Sequence, residues 1–594
     1  MRAAIVRLVE ALAGAAGPIV FVVTLVVEAG CSDHMPVAPR YTPSAVAERS
    51  QASGPSAVTF SINAATTYPI SRFIYGMNFV TDIGGPYAGR SPWYGATPPA
   101  GVTLNRMGGN RMTAYNWENN FSNAGSDYNY ENDNYLDQST APGHAVGSRV
   151  SATLARGAAM IVTVPMLGYV AADEAGPLDI RDADRARRLA THFKVSVPSK
   201  GAPFTLTPST SDAHVYQDEF VNWVKTTFPS AVSSATQPIF YELDNEPDDW
   251  QLTHQEIQSD YGDNPNTPRI QTYNGYIDTT ILYARAIKKV TPKALVFGPA
   301  VATYTGVLTL GRYPTPDPAY GTRSFFDVYL DRLNTAGARY GRRLVDVLDL
   351  HWYSAAGAGS NEITNDYATQ SAAMVRARLQ APRSLWDPSY DERSWVSSTT
   401  GGPIKLLPRL QSEIAAHYPG TKLAITEYYY GRAGDISGGV AEADVLGIFG
   451  KYGVFAAALW PQAGVWAAPY GGSGAKAYAY AFGAFDMFVN YDGAGGRFGD
   501  VGMAASTSDS VNTSVYASRD PAGRIVVVAI NKNTSPTLAT IRVAASAILR
   551  TAQVYRLTRV SPNPTREATL PVSSQNTLSY SMPAMSVSTL VLSN

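Results

Sequence analysis

Two glutamates stand where an apolar run gives way to a loop. Glu246 follows the run Pro238–Leu243 in Asp244-Asn245-Glu246-Pro247, and Glu427 lies near the end of Lys422–Tyr428 in Thr426-Glu427-Tyr428. Glu is depleted in strands, so each needs a reason to be there. One kind of reason is structural: a salt bridge across the top of a sheet, or a cap on the following helix. The other is chemical. A pair of carboxyl groups can cleave a glycosidic bond, one protonating the leaving oxygen and the other attacking the anomeric carbon. The first must hold its proton near neutral pH, and the second must stay ionised. A separation of about 5–5.5 Å between the two gives retention of configuration.

The elements around these residues follow a repeating pattern. Eight short β-rich apolar segments recur: Arg72–Val80, Val102–Met107, Ala158–Met166, Pro238–Leu243, Ala294–Pro299, Val345–Tyr353, Lys422–Tyr428 and Val454–Trp460. Longer helix-compatible stretches separate them, such as Val215–Thr227, Ile277–Val290 and Pro408–His417. Strands alternating with helices mean βαβ units and a parallel sheet, and eight units predict a closed (β/α)8 TIM barrel. Barrel enzymes carry their reactive groups at the C-terminal ends of the strands. Strands four and seven face each other across the mouth, a geometry that can bring Glu246 and Glu427 together. Beyond about residue 480 the pattern changes to short β-rich segments with no helix between them: Thr513–Ser518, Arg524–Ile530, Ala539–Val543, Ala552–Leu557 and Val587–Leu592. They predict an additional all-β sandwich domain. The alternating stretch Ala57–Asn63 precedes the barrel and is expected to join that sandwich. The expected organisation is therefore an N-terminal strand at 57–70, a barrel at 71–480 and a sandwich at 481–594.

Several longer motifs resemble a known family. Asn245-Glu246-Pro247 with Glu427, Arg106 closing strand two, His351-Trp352-Tyr353 closing strand six and Trp460 closing strand eight look like the large clan of retaining barrel glycosidases. The clan's histidine after strand three is missing, since Val162–Met166 offers none. A closer resemblance is to glycoside hydrolase family 44. It rests on Asn105-Arg106-Met107-Gly108-Gly109-Asn110-Arg111, on Tyr115-Asn116-Trp117-Glu118-Asn119, on Val215–Val221 and on Tyr491–Asp500. The resemblance covers roughly residues 57–594. It implies a barrel with a sandwich built from both chain ends, retention, and endo-action on β-1,4-glucans including xyloglucan. It also implies roles: Glu246 as general acid/base, Glu427 as nucleophile, Asn245 on the sugar 2-hydroxyl, Tyr353 orienting Glu427, and Trp460 as a platform under the sugar. Arg106, Asn110, Trp117, His351 and Tyr429 complete the expected substrate site. The mechanism needs no cofactor and no metal.

The rest of the chain sets bounds. With 47 basic against 48 acidic residues nothing points to nucleic acid, and 36 Tyr with 9 Trp suit stacking on sugar rings or simply a large aromatic core. Trp117, Trp250, Trp352 and Tyr429 lie at or past strand ends. Trp352 is expected to face the core, as is Trp223 on its helix. A polysaccharide laid over several strand ends is the expected partner, met by a monomer. The oxygen-rich stretch Asn119–Asn134 fits either a structural calcium site or a solvated loop. At the N-terminus, Arg2 and Arg7 precede an apolar run from Ala11 to Val27, broken by Pro18, and then Ala29-Gly30-Cys31. This reads as an export signal. The box before Cys31 resembles a bacterial lipoprotein site, with Glu28 out of pattern; the alternatives are ordinary cleavage near Ala29 and an uncleaved anchor. Residues 32–56, rich in Pro, Ser and Ala, read as a tether. Cys31 is the lone cysteine, so no disulfide forms within the chain. Competing functions are a β-mannanase or β-xylanase with the same machinery, and a non-catalytic carbohydrate-binding barrel. Intact glutamates, with Asn245 and Tyr353 beside them, weigh against the last.

Overall fold

The computed structural model describes residues 56–81, 93, 96–181, 184–258, 272–311, 317–462 and 474–594. All of them lie within one compact unit, Val37–Asn594. The export signal, the tether and Cys31 fall outside the described residues. Among those described, no helix is long and apolar enough to cross a membrane.

Eight parallel strands close into a barrel: Gly76–Asn78, Leu104–Met107, Ala159–Val164, Ile239–Leu243, Val296–Val301, Val347–Tyr353, Lys422–Tyr429 and Ala456–Leu459. Each falls in one of the eight predicted segments, except that Val296–Val301 and Lys422–Tyr429 run past theirs, by two residues and by one. These runs are apolar on both faces because parallel barrel strands are covered by helices outside and packed inside. Their interior is layered. The bottom layer is an apolar plug that includes Leu104, Ile161, Phe240, Phe297, Val347 and Ala424. Above it lie polar side chains, and the two glutamates stand at the top.

The helices follow sequence periodicity with local overrides. Tyr273–Val290 is capped by the Thr272 hydroxyl, which accepts from Gly275 N, and buries Tyr276, Ile277, Tyr283, Ala284 and Ile287 at three- and four-residue spacing. The helix expected from Val215 begins only at Gln217. Val215 and Tyr216 pair instead with Ser196 and Val197 in a small parallel ladder. The helix Ala479–Val489 runs across the expected domain boundary at 480, so the second domain starts at Val501, the first residue of its next strand.

That second domain is one continuous ten-stranded sheet folded over a single core. The N-terminal strand, Ser56–Pro69, is longer than predicted and lies inside the sheet. It pairs antiparallel with Val501–Thr507 and parallel with Thr537–Ala544, with a bulge between Asn63 and Thr67. Side chains from opposite ends of the sheet meet: Arg556 Nε donates to the Tyr580 hydroxyl at 2.8 Å. The sandwich is therefore built from both chain ends. Strands at Val501–Thr507, Ser561–Arg566 and Thr577–Met582 had no clear apolar signal, because their outward positions are polar or exposed.

Candidate active site

Strand four delivers Glu246 through a strained turn. Asp244 and Glu246 both have positive φ, 65° and 47°, a region non-glycine residues seldom enter. Asp244 fastens the turn. Its carboxylate accepts from the Thr113 hydroxyl at 2.6 Å and from the backbone N–H of Asn245 and Leu167 at 2.8 and 2.9 Å. Glu246 N–H donates to Ala300 O at 3.0 Å, which locks the turn to strand five. Trp250 backs it from below, donating Nε1–H to Asn245 O at 2.7 Å.

Strand seven delivers Glu427 by a different device. The register with strand six slips between Leu350–Ile425 and His351–Glu427, leaving Thr426 as an extra residue. Such a bulge re-aims side chains. Here it lets two successive residues engage the barrel interior. Thr426 reaches both oxygens of Asp349, at 2.8 and 2.9 Å, and Glu427 meets Arg106.

Arg106 is the hub. Its guanidinium is fully buried and donates from all three nitrogens. Nε donates to both oxygens of Glu242 at 2.8 and 2.9 Å. One terminal nitrogen donates to Glu427 at 2.7 Å and Asn78 at 3.1 Å, and the other to Asn245 Oδ1 at 2.8 Å. Gly108 makes room for it, since a Cβ there would lie 2.2 Å from the guanidinium carbon. Gly109, at φ 78°, donates its N–H to Asn245 Oδ1 at 3.1 Å, and a Cβ on it would lie 2.9 Å from the Trp460 ring. The Gly-Gly pair thus packs a cation below and an indole above.

The carboxyls of Glu246 and Glu427 converge with His351, one oxygen or nitrogen from each lying within 4.8 Å of the others. Among the described residues this is the one place where three such groups gather, and Arg106 supplies the positive charge beside it. The two glutamates have unequal surroundings. Glu246 meets His351 Nδ1 at 2.8 Å. Burial, and then the charge of Asp249, push its carboxyl up to about 8, against the pull of Arg106. Glu427 is also raised by burial, but the Arg106 charge and a 2.7 Å hydrogen bond donated by the Tyr353 hydroxyl oppose the rise. Burial lowers His351 to about 4, so the ring is neutral at neutral pH.

Arg106, Asn245, Glu246, His351, Tyr353, Glu427 and Trp460 are therefore brought together. Three expected contacts are not placed as cleft walls. Trp117 is fully buried and stacks on Phe220 of the helix Gln217–Thr227, because the loop after strand two folds back over that helix. Tyr429 is buried as well, and its hydroxyl donates to Asp366 at 2.5 Å. Asn110 is buried under the mouth and donates to Asp127 at 2.8 Å. Trp352 faces the core, as expected, and donates to the Tyr430 hydroxyl. In the 119–134 stretch the carboxylates of Asp127 and Asp133 already take protein donors, from Asn110 and Arg111. Sequence reasoning missed Asn78, Glu242 and Asp349. The rule that flagged Glu246 applies equally to Glu242, a carboxylate inside an apolar strand. Two of the long motifs prove architectural. Glu219 holds the preceding loop through Lys200 and Thr205 N–H, and Tyr491–Asp500 is the turn joining barrel to sandwich.

A closed parallel barrel with two glutamates paired at its C-terminal mouth defines a glycosidase. The profile of glycoside hydrolase family 44 matches residues 121–356. Over 550 residues the chain is 36% identical to endoglucanase A of Paenibacillus lautus, spanning 90% of the chain and 73% of that protein. Its structure is similar to a family 44 endoglucanase from Clostridium thermocellum, with TM-score 0.79, 36% identity, and coverage of 91% of this chain and 100% of that one. It is similar also to a Paenibacillus polymyxa xyloglucanase of family 44, solved with xyloglucan, with TM-score 0.79, 33% identity, and coverage of 91% and 100%. The chain belongs to glycoside hydrolase family 44.

Proposed function

We propose that this enzyme cleaves β-1,4-glucan chains internally, xyloglucan among them, by double displacement with retention. One observation carries the reading: two glutamates with oxygens within 4.8 Å of each other, one hydrogen-bonded to an imidazole and the other held by a guanidinium and a phenol. A pair this close suits attack by one carboxylate and leaves too little room for the water of an inverting mechanism. Glu246 is protonated at neutral pH and gives its proton to the glycosidic oxygen. Glu427, held by Arg106 and Tyr353, attacks the anomeric carbon. Glu246, now a carboxylate, then takes a proton from the water that releases the sugar. The Asn245 side-chain oxygen takes two protein donors, so its Nδ2 end is the one offered to the 2-hydroxyl. The partly exposed Trp460 gives the apolar sugar face a surface.

Azide tests the two roles. Glu427→Gly should lose activity by several orders of magnitude. Azide should then fill the vacated space and give an α-product. Glu246→Ala should keep more activity on an activated aryl glycoside than on polymer, and azide should give a β-product there. The same anomer from both variants would refute the assignment.

Export and a lipid anchor on Cys31 belong to this reading, supported by the apolar run and the Ala29-Gly30-Cys31 box. An enzyme that attacks polymers outside the cell gains from being held at the surface. Cys31→Ser should move the protein from the membrane fraction to the soluble one; an unchanged distribution removes the anchor.

A further inference from the structure

Below the two catalytic glutamates lies a second acidic layer that the mechanism above does not use. Glu242 on strand four and Asp349 on strand six are both fully buried, and their carboxyls are close enough to hydrogen-bond. Two carboxyl groups can be hydrogen-bonded to each other only if one of them carries a proton. Their other partners decide which. Glu242 accepts from Arg106 Nε at both oxygens and from the Thr163 hydroxyl at 3.1 Å, a set that suits a carboxylate. Asp349 has the Thr426 hydroxyl, 2.8 and 2.9 Å from its two oxygens; one hydroxyl proton cannot serve both.

The charge count agrees. Among the described residues Arg106 is the cation that reaches this layer, and it already faces Glu242 and Glu427. An ionised Asp349 would set three carboxylates against one guanidinium in a dry interior, which is strongly unfavourable. The other titratable groups nearby do not help. His351, two residues further along the strand, is neutral, and burial keeps the hydroxyl of Tyr329, on the helix Phe325–Tyr340, un-ionised.

We propose that Asp349 is a positioning residue: it is a neutral carboxylic acid in the fold, donates its proton to Glu242, and so reserves the Arg106 charge for Glu242 and the nucleophile. Burial, and then the charge of Glu242, raise its proton affinity in the same direction. Its link to Thr426, the bulge residue before Glu427, couples the same proton to the seat of the nucleophile. The proposal rests on Glu427 being the nucleophile for its catalytic consequence, but not for the proton itself.

Infrared difference spectroscopy of the resting enzyme at neutral pH, without substrate, reads that proton. Wild type minus Asp349→Asn should show one protonated-carboxyl band. Kinetics read the consequence. Asp349→Ala should lower kcat on the order of 10²-fold with little change in KM, a size seen when reacting groups shift by about an ångström. Asp349→Asn keeps a neutral donor toward Glu242 and should recover about tenfold or more of that loss. No carboxyl band, or an Asn variant no better than Ala, overturns the proposal. Should Asp349→Ala fail to fold, the band and the Asn variant's kcat against wild type still decide. A band present in an enzyme inactive on every glucan would refute the proposed function and leave the protonated Asp349 standing.

Discussion

The polar neighbour of Glu246 is a neutral ring, whereas Glu427 is met by a guanidinium and a phenol. Burial raises both carboxyls, the Asp249 charge adds to the rise at Glu246, and the direct Arg106 and Tyr353 contacts oppose it at Glu427; these neighbours set the difference between acid and nucleophile. The sign of the pH dependence follows. A carboxyl raised to about 8 is protonated below that value and ionised above it. Acid assistance is complete on the acidic side and lost as pH rises through about 8. The rate on polymer should therefore fall along an alkaline limb near that value. An aryl glycoside with a good leaving group needs little acid assistance, so its glycosylation step should lack that limb. Pre-steady-state release of the aryl group over a pH series checks this, and equal limbs for the two substrates would argue against Glu246 as the acid. The same shift has a cost in stability. The folded state holds a proton that the unfolded chain, near its ordinary value of about 4.3, releases. The stability this proton contributes is full below that value, declines as pH rises from there, and is lost above about 8.

At the scale of an element, the loop after strand two joins the hub to the sugar platform. Gly109 is both left-handed in φ and in contact with the Trp460 ring. Gly109→Ala should push the indole outward and strain the turn. We expect KM to rise and kcat to fall, on the order of 10²-fold in kcat/KM for an ångström-scale displacement, while the melting temperature moves little. Steady-state kinetics beside a melting curve separates the two effects. A loss of folding without a specific kinetic defect would mean that the loop serves packing alone.

Across the whole molecule, barrel and sandwich are joined by buried polar contacts as well as by chain. Asp444, on the helix Ile436–Lys451 that follows strand seven, pairs with Lys532 of the sandwich, both nearly inaccessible, and accepts from the Tyr516 hydroxyl at 2.6 Å. The Thr589 hydroxyl donates to Met487 O at the end of the last barrel helix. Lys532→Ala would leave a buried carboxylate unpaired and should cost about 3–5 kcal/mol in chemical denaturation. Truncation after Val489 removes every partner strand of Ser56–Pro69 and exposes its edges, so it should give insoluble protein. A soluble, fully active barrel from that truncation would show the sandwich to be dispensable.

The sequence by itself determined what depends on local pattern. Eight largely apolar runs alternating with helical stretches define the barrel, because a parallel strand buried on both faces is apolar along most of its length. A glutamate at the end of such a run is conspicuous for the same reason, which made Glu246 and Glu427 legible. So was Ala57–Asn63, a strand by its period of two, which its place before the barrel pointed to the sandwich. The tertiary structure decided what depends on register and on contacts across the barrel. The bulge at Thr426 sets the aim of Glu427, and no periodicity reports an extra residue in a strand. Arg106, Glu242 and Asp349 come from three strands, and their shared charge balance exists only once the barrel closes. Trp117 and Tyr429 show the same limit in reverse. An aromatic near a strand end reads alike whether its loop opens over the mouth or folds down onto a helix, and only packing chooses between them.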